Sequence, residues 1–186
     1  MEGLSDSELV NQARTELPYR TGAYETLMRR HGGRIRAVAL RFARDPADAE
    51  DLTQEVMLKV FFELPRFRGQ AAFTTWLWRL TANLCIDHQR RAAVAPAVAA
   101  PDDALQGVPD PRDAHAATEA RLDADRLLQA LPPDDRMLIL LRLLVGLDFS
   151  EIAQVMALGL SATKMRYSRA LEQLRARFGQ CPRTQA

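Results

Sequence analysis

The sequence predicts an all-α fold of two small helical domains joined by a flexible linker. Apolar residues recur at helical spacing along most of the chain, and no stretch shows the two-residue alternation of a strand. Residues 92–117 are rich in alanine, proline and aspartate, and they contain too few large apolar side chains to form a packed structure. We therefore divide the chain into an N-terminal domain (1–91), this linker, a C-terminal domain (118–180) and a tail (181–186).

The N-terminal domain begins with two helical stretches. Apolar spacing predicts a helix over 23–43, which we expect Asp45-Pro46 to end, because the residue before a proline avoids helical backbone angles. A second helix is predicted over 47–64, and Pro65 is expected to stop it.

A third helix follows, and it combines large aromatic side chains with a basic end. Thr74 or Thr75 can cap its start, and it continues to Arg91. Trp76 lies at the edge of the apolar stripe and is interpreted as a core residue with a polar handle, whereas the role of Trp78 stays open. The buried stripe itself consists of Leu77, Leu80 and Leu84.

The C-terminal domain is expected to begin near Thr118 with a short amphipathic helix. Pro132-Pro133 is predicted to end that helix. Asp134 or Asp135 can then cap a strongly apolar helix that extends to Gly146.

The last two predicted helices have the pattern of a helix-turn-helix. A helix over 150–158, a turn at Gly159 and a longer helix capped by Ser161 would form it. The inward face of the longer helix comprises Leu160, Thr163, Tyr167, Leu171 and Leu174. A polar and basic outer face is what a helix needs to read base edges in a major groove, with flanking cations on phosphates. That outer set is Ser161, Lys164, Met165, Ser168 and Arg169, with Arg166 on the flank.

Charge is arranged in blocks of alternating sign, although the net charge is only +1. Residues 20–44 contain seven arginines and one acid, 45–63 contain six acids and one lysine, and 66–91 contain five arginines and one acid. Such blocks indicate separate surfaces for separate partners, although solvated faces of no special function are the simpler alternative.

The motifs of several functional classes are missing from the sequence. There is no glycine-rich phosphate loop and no nucleophile motif, so we predict no enzyme and no cofactor. Cys85 and His88 lie three residues apart but lack further ligands nearby, which argues against a zinc site. Cys85 and Cys181 match no disulfide spacing. A polar N-terminus and the lack of a long apolar run predict a cytoplasmic protein.

Three stretches, in this order, resemble an extracytoplasmic-function sigma factor of bacterial RNA polymerase, of the sigma-70 family. They are DAEDLTQEVMLKVF (48–61), FRGQAAFTTWLWRLTANLCIDHQRR (67–91) and LPPDDRMLILLRLLVGLDFSEIAQVMALGLSATKMRYSRALEQL (131–174). The resemblance extends over about residues 22–178. It departs from the family pattern at Met57, where many members carry an aromatic, and at Ala157, where a glycine often opens the turn.

The resemblance implies an alternative sigma factor that recruits core polymerase to promoters, with a role for each stretch. The first would dock on the clamp of the largest polymerase subunit through Asp48, Asp51, Gln54, Glu55 and Lys59. The second would recognise and melt the −10 element through Phe67, Arg68, Arg79, Asn83, Arg90 and Arg91. The third would bind the −35 element through Ser161, Lys164, Met165, Arg166, Ser168 and Arg169, close to the beta flap of the polymerase.

The resemblance also implies control by an anti-sigma factor and a place at the nucleoid, without membrane insertion of the chain itself. An anti-sigma factor in the membrane could tether it. Two other functions stay open on the residues alone. A stand-alone helix-turn-helix regulator would not recruit polymerase, and it would need neither the acidic helix nor the aromatic and basic stretch. An all-α interaction protein would leave the basic outer face of the last helix unexplained.

Overall fold

The computed structural model describes residues 3–94 and 124–178 of the 186-residue chain. Within those two ranges all regular structure is helical and no strand occurs, as the sequence predicts. Most of the predicted linker, the predicted start near Thr118, and the tail with Cys181 lie outside the described residues. We refer to 3–94 as the N-terminal unit and to 124–178 as the C-terminal unit.

The helices of the N-terminal unit form one bundle around a shared core. In chain order they are α1 (Asp6–Glu16), α2 (Gly22–Ala39), α3 (Pro46–Glu63), a 3-10 turn (Leu64–Arg66) and α4 (Phe73–Val94). Pro65, predicted to stop the second helix, lies in the 3-10 turn that continues from α3.

The first helix, α1, is absent from the sequence prediction. Its start carries a capping box, because the Ser5 hydroxyl accepts the backbone N–H of Glu8 and the Glu8 carboxylate accepts that of Ser5. Its buried face is Leu9, Val10 and Ala13. The Ser-x-x-Glu spacing was therefore the signal that could have revealed this helix.

The Asp45-Pro46 pair begins α3 instead of ending the helix before it, which corrects the prediction. Helix α2 already ends at Ala39. The Asp45 side chain accepts the backbone N–H of Asp48 at 2.8 Å, so it is the N-cap. Pro46 occupies the first turn, where its missing N–H and fixed φ angle cost nothing.

Helix α4 begins at Phe73, so Thr74 and Thr75 lie inside it. The prediction that one of them caps the helix is wrong. The backbone N–H of Trp76 donates to the carbonyl of Ala72 at 3.1 Å, and Thr75 is buried within the first turn. Trp78, whose role the sequence left open, is 2% exposed and belongs to the core. Trp76 is partly buried, as interpreted from its position at the edge of the apolar stripe.

The C-terminal unit contains four helical stretches within residues 124–178. They are α5 (124–129), α6 (Pro133–Leu140) extended by a turn of π-helix (Leu141–Val145), α7 (Phe149–Met156) and α8 (Leu160–Phe178). Pro132-Pro133, predicted to end a helix, begins the next one, because Pro132 is the N-cap of α6 and Pro133 its first residue. Asp134 and Asp135 lie in the first turn and do not cap it.

The connection between α7 and α8 has the predicted helix-turn-helix order but a different turn. Asp148 caps α7 in a capping box with Glu151. The turn was predicted at Gly159, but its left-handed residue is Ala157, with φ 53°, and Gly159 has no positive φ angle. Helix α8 starts at Leu160, so Ser161 lies within its first turn. Leu160 is also 47% exposed, which contradicts its predicted inward position.

The two units pack against each other, with α4 in contact with α6 and α7. Leu77 and Trp78 of α4 share one apolar core with Met137, Leu138 and other residues of the C-terminal unit. This packing places one face of α4 beside the C-terminal unit, and it decides which polar groups of α4 stay accessible.

Candidate functional site

Two of the residues predicted to contact the −10 element lie on the same face of α4 but in different surroundings. Asn83 is exposed and has no hydrogen-bond partner among residues 3–94 and 124–178. Arg79 is also exposed, but its Nη2 donates to the carbonyl oxygen of Gln154 in α7 at 2.8 Å. Helical spacing places Arg79 and Asn83 on the same face, but packing of the two units engages Arg79 in a hydrogen bond and leaves Asn83 without one among the residues that the structure describes.

The basic end of α4 is held by carboxylates from both units. Arg90 Nη2 lies 3.4 Å from Asp134 Oδ2 in the C-terminal unit, and its Nη1 lies 3.8 Å from Asp87 Oδ1. Arg91 Nη2 lies 3.7 Å from Glu55 Oε1 on α3. These pairs are long and all but the half-buried Asp134 are exposed, so they are weak and phosphate groups could replace the carboxylates.

The loop before α4 presents an aromatic ring next to a flexible backbone. Phe67 is partly buried, with its ring centroid 5.0 Å from that of Trp76 and 6.3 Å from that of Phe73. Gly69 has a φ angle of +69°, which side chains rarely tolerate. Arg68 is exposed, and the described residues offer it no ion-pair partner. The loop thus joins a stacking surface to a free cation.

The outer face of α3 exposes four of the five residues predicted to bind the polymerase, namely Asp51, Gln54, Glu55 and Lys59. The same helix also exposes two large apolar side chains, Leu58 (57%) and Phe62 (67%), that the sequence analysis did not assign. Leu58 and Phe62 are four residues apart, so the sequence already places them on one face of the helix.

Asp48, the fifth residue, differs from the prediction because it is not available on that face. Its side chain is 15% exposed, and Oδ2 lies 3.0 Å from His88 Nε2 and accepts the backbone N–H of Arg44 at 2.8 Å. Burial disfavours the charged carboxylate, but these contacts outweigh burial and hold the pKa of Asp48 below its usual value. Asp48 therefore connects α3 to α4.

The outer face of α8 remains open to solvent, as predicted. Ser161, Lys164, Met165, Ser168 and Arg169 are all exposed. Thr163 and Ala170 are buried on the opposite side. Arg166 differs, because its Nε binds the carboxylate of Asp135 in α6 and so helps to hold the two helices together.

The described residues contain no cluster of three or more potential metal ligands. Cys85 is buried, which raises the pKa of its thiol, and His88 is engaged by Asp48. None of the helices within the described ranges combines the length and the apolar character needed to cross a bilayer.

Comparison with known proteins covers both units. Residues 27–94 match the family model of sigma-70 region 2, and residues 121–174 match that of sigma-70 region 4. The chain is 34% identical over 157 residues to the ECF RNA polymerase sigma factor SigE of Mycolicibacterium smegmatis, covering 82% of this chain and 60% of that protein. The chain thus spans about three fifths of the length of that relative.

Other relatives are matched over more of their length. The chain is 31% identical over 160 residues to the RNA polymerase sigma-H factor of Pseudomonas aeruginosa, covering 81% of this chain and 83% of that protein. The ECF RNA polymerase sigma-E factor of Escherichia coli gives the same identity and coverage. Among solved structures, CnrH in complex with the cytosolic domain of CnrY has a TM-score of 0.73 at 24% identity, covering 95% of this chain and 98% of that one.

Proposed function

Since the chain belongs to the extracytoplasmic-function sigma factors of bacterial RNA polymerase, we propose that it binds the core polymerase and directs initiation at specific promoters. The observation that carries this proposal is the succession of sigma-70 region 2 and region 4 in one chain, each with its polar surface exposed. A stand-alone regulator would need only the second of these regions. The sigma factor family is not a family of enzymes. We propose that the chain recognises promoter DNA and core polymerase and catalyses no reaction itself.

The −10 element is proposed to bind along α4 and the loop before it. A melted strand needs cations for its backbone and an aromatic surface for its bases. Arg68, Arg90 and Arg91 supply the cations. Phe67 supplies the aromatic ring, and Asn83 has both donor and acceptor groups for one base edge.

The −35 element is proposed to bind α8 in the major groove. Lys164, Ser168 and Arg169 lie within about one and a half turns of one another on the open face, so they can reach successive base pairs. Met165 offers an apolar surface to a thymine methyl group, and Ser161 near the start of the helix can contact a phosphate. Arg166 is proposed to act indirectly, because its carboxylate partner Asp135 fixes how α8 sits on the bundle.

Docking on the polymerase is proposed to use the outer face of α3. Asp51, Gln54 and Glu55 would orient the chain on a basic surface of the largest subunit, since complementary charge steers association. Leu58 and Phe62 would provide the apolar centre of that interface, where most binding energy is concentrated. In the C-terminal unit, Leu143 and Leu144 are exposed and would contact the beta flap.

The free chain is proposed to be inactive until it binds a partner that separates its units. Arg79 and Arg90, two of the residues that the sequence predicts to contact the −10 element, are engaged with Gln154 and Asp134 of the C-terminal unit. Core polymerase would release them by docking the two units on separate subunits. An anti-sigma factor would instead stabilise the compact arrangement. We propose that this takes place in the cytoplasm at the nucleoid, with or without a membrane tether on the anti-sigma factor.

Run-off transcription tests this proposal. The purified chain and core polymerase are incubated with fragmented genomic DNA, and transcripts should begin at defined sites only when both are present. Binding to core enzyme is measured separately by size-exclusion chromatography. If the chain bound duplex DNA but formed no complex with core enzyme, a stand-alone regulator would be the correct function instead.

A further inference from the structure

Helix α1 has no counterpart in the regions matched by the family models, which begin at residue 27. It is nevertheless an ordered part of the N-terminal bundle, because its buried face joins the common core. It contacts α2, the 3-10 turn after α3 and the start of α4. Its position next to the loop proposed to bind the −10 element suggests a part in that site.

An ionic network fixes α1 in this position. Asp6 Oδ1 lies 2.8 Å from Arg30 Nη1, and Asp6 Oδ2 lies 2.7 Å from His31 Nε2, both on α2. The His31 ring in turn packs edge-on against the ring of Phe73, the first residue of α4, with 5.7 Å between the ring centroids. The network holds α1 beside the loop, and it leaves the Asp6 carboxylate with two cationic or polar partners, so its charge is compensated locally.

A pocket of about 390 Å³ opens between α1 and the loop. Phe67 and Phe73 line the part of the wall that the loop and the start of α4 contribute, and of the two Phe67 is the more exposed. The wall contributed by α1 is mostly polar, and it consists of Asp6, Ser7, Val10, Asn11 and Arg14. Asn11 and Arg14 are exposed, and neither has a hydrogen-bond or ion-pair partner in the described part of the chain.

We propose that α1 completes a pocket for one unstacked base of the melted promoter strand, an inference that rests on the function proposed above. The aromatic ring of Phe67, the amide of Asn11 and the guanidinium of Arg14 match the face of a base, its edge and the adjacent phosphate. The base ring stacks on an aromatic surface, the amide of Asn11 bonds the base edge, and Arg14 pairs with the adjacent phosphate. Asn11 and Arg14 are three residues apart on one helix face, so they can act on one nucleotide.

The test uses holoenzyme reconstituted from the chain and core polymerase, with fluorescent single strands that carry the −10 sequence of a promoter found by run-off transcription. Affinity is measured by anisotropy for Asn11→Ala and Arg14→Ala, and each change should weaken binding by about tenfold. Thr15→Ala, on the same helix but outside the pocket, and Arg29→Ala, an exposed arginine of α2, are the controls with unchanged affinity. Arg14→Lys should restore part of the binding, since it retains the charge.

A scan of single abasic sites along the strand identifies the base that enters the pocket. In the wild type one position should be the most sensitive to loss of its base, and Asn11→Ala should reduce that extra sensitivity at the same position, because stacking of the base remains. The proposal would be overturned if wild-type holoenzyme initiated normally and both alanine variants bound every strand as the wild type does. It would be overturned equally if Asn11→Ala left the abasic profile unchanged. A wild-type chain that formed no complex with core enzyme would instead refute the function on which the pocket rests.

Discussion

At the residue scale, α4 shows how neighbouring side chains of one helix face acquire different roles. Asn83 projects into solvent without a partner within the described ranges, whereas Arg79 one turn earlier is bound to the backbone of α7. Exposure and spacing alone would give them the same function. The packing of the C-terminal unit distinguishes them, so Asn83 is the residue of this pair whose side chain is not engaged by the other unit.

Asn83→Ala should impair open-complex formation and leave binding to core polymerase unchanged. Loss of a contact with a base edge costs about 1–3 kcal/mol, which corresponds to roughly a 5- to 150-fold loss of promoter melting. Alanine is the better helix former, so the variant helix should be no less stable than that of the wild type. Potassium permanganate footprinting reports melting, and co-elution with core enzyme reports docking. A variant that lost core affinity would show that α4 faces the polymerase and not DNA.

Asp48 should give the fold a dependence on acidic pH. Its pKa in the folded chain lies below the ordinary value of 3.8. Its contribution to stability is therefore present above about pH 4 and is lost as the pH falls through the lowered folded-state pKa. Asp48→Asn should reduce the loss of stability between about pH 4 and pH 2, as followed by urea unfolding at each pH. Asp51→Asn, an exposed acid of the same helix, should retain the wild-type decline; an equal response of both variants would contradict the assignment.

At the element scale, the turn between α7 and α8 places a residue with a side chain where glycine is favoured. Ala157 has φ 53° and ψ 43°, in the left-handed region. Its carbon Cβ crowds the backbone in that conformation, at a cost of about 1–2 kcal/mol. Gly159, two residues later, has no positive φ angle and open space around it.

Ala157→Gly should therefore stabilise the chain by about 1 kcal/mol, because relief of the crowding exceeds the added entropy of the unfolded glycine. The matched change Gly159→Ala should be neutral or slightly stabilising, since alanine fits its backbone angles. Urea unfolding followed by circular dichroism measures both midpoints. A lower midpoint for Ala157→Gly would mean that the left-handed turn is absent in solution.

Element boundaries were the least predictable part of the fold, and the prolines show why. The sequence predicts helix ends at both Asp45-Pro46 and Pro132-Pro133, but each pair begins a helix. Proline is compatible with the end and with the start of a helix. It disfavours helical backbone angles in the residue before it, and it fits well in the first turn of a helix. Only the neighbouring contacts decide, and for α3 the deciding contact is the Asp45 cap on the backbone of Asp48.

At the scale of the whole molecule, Arg136 joins the two units. It is 2% exposed, and its guanidinium donates to the carbonyls of Leu128 and Gln129 in its own unit. It also donates to the carbonyl of Arg41 at 2.7 Å and lies 5.2 Å from the ring centroid of Phe42, both in the N-terminal unit. Burial lowers the pKa of Arg136, but hydrogen bonds satisfy the cation.

Charge reversal at the unit interface should open the molecule. Asp125 pairs with Arg41 at 3.1 Å and Asp134 with Arg90 at 3.4 Å, each across the interface. In the double variant Asp125→Lys, Asp134→Lys, like charges face each other, so the radius of gyration from X-ray scattering should increase while helical content stays constant. Single-stranded DNA should then bind the free chain more tightly, because Arg79 and Arg90 become available.

The control for this experiment is Glu172→Lys, which changes the charge of an exposed position on α8. It should leave the radius of gyration unchanged. If the double variant also kept the wild-type radius, the interface would not depend on these ion pairs, and release of Arg79 and Arg90 would need another explanation.

Sequence alone was sufficient to predict the all-α class, the order of the helices after α1, the family and the open face of α8. Helical periodicity and motif order are properties of local segments, so they can be read without knowing which segments meet. Features that depend on contacts between distant segments follow only from the packed structure. It placed Trp78 in the core, joined Asp48 to His88, bound Arg79 to α7 and set α1 beside the Phe67 loop. A side chain's role in a site depends on the neighbours that compete for its polar groups, and only folding brings those neighbours together.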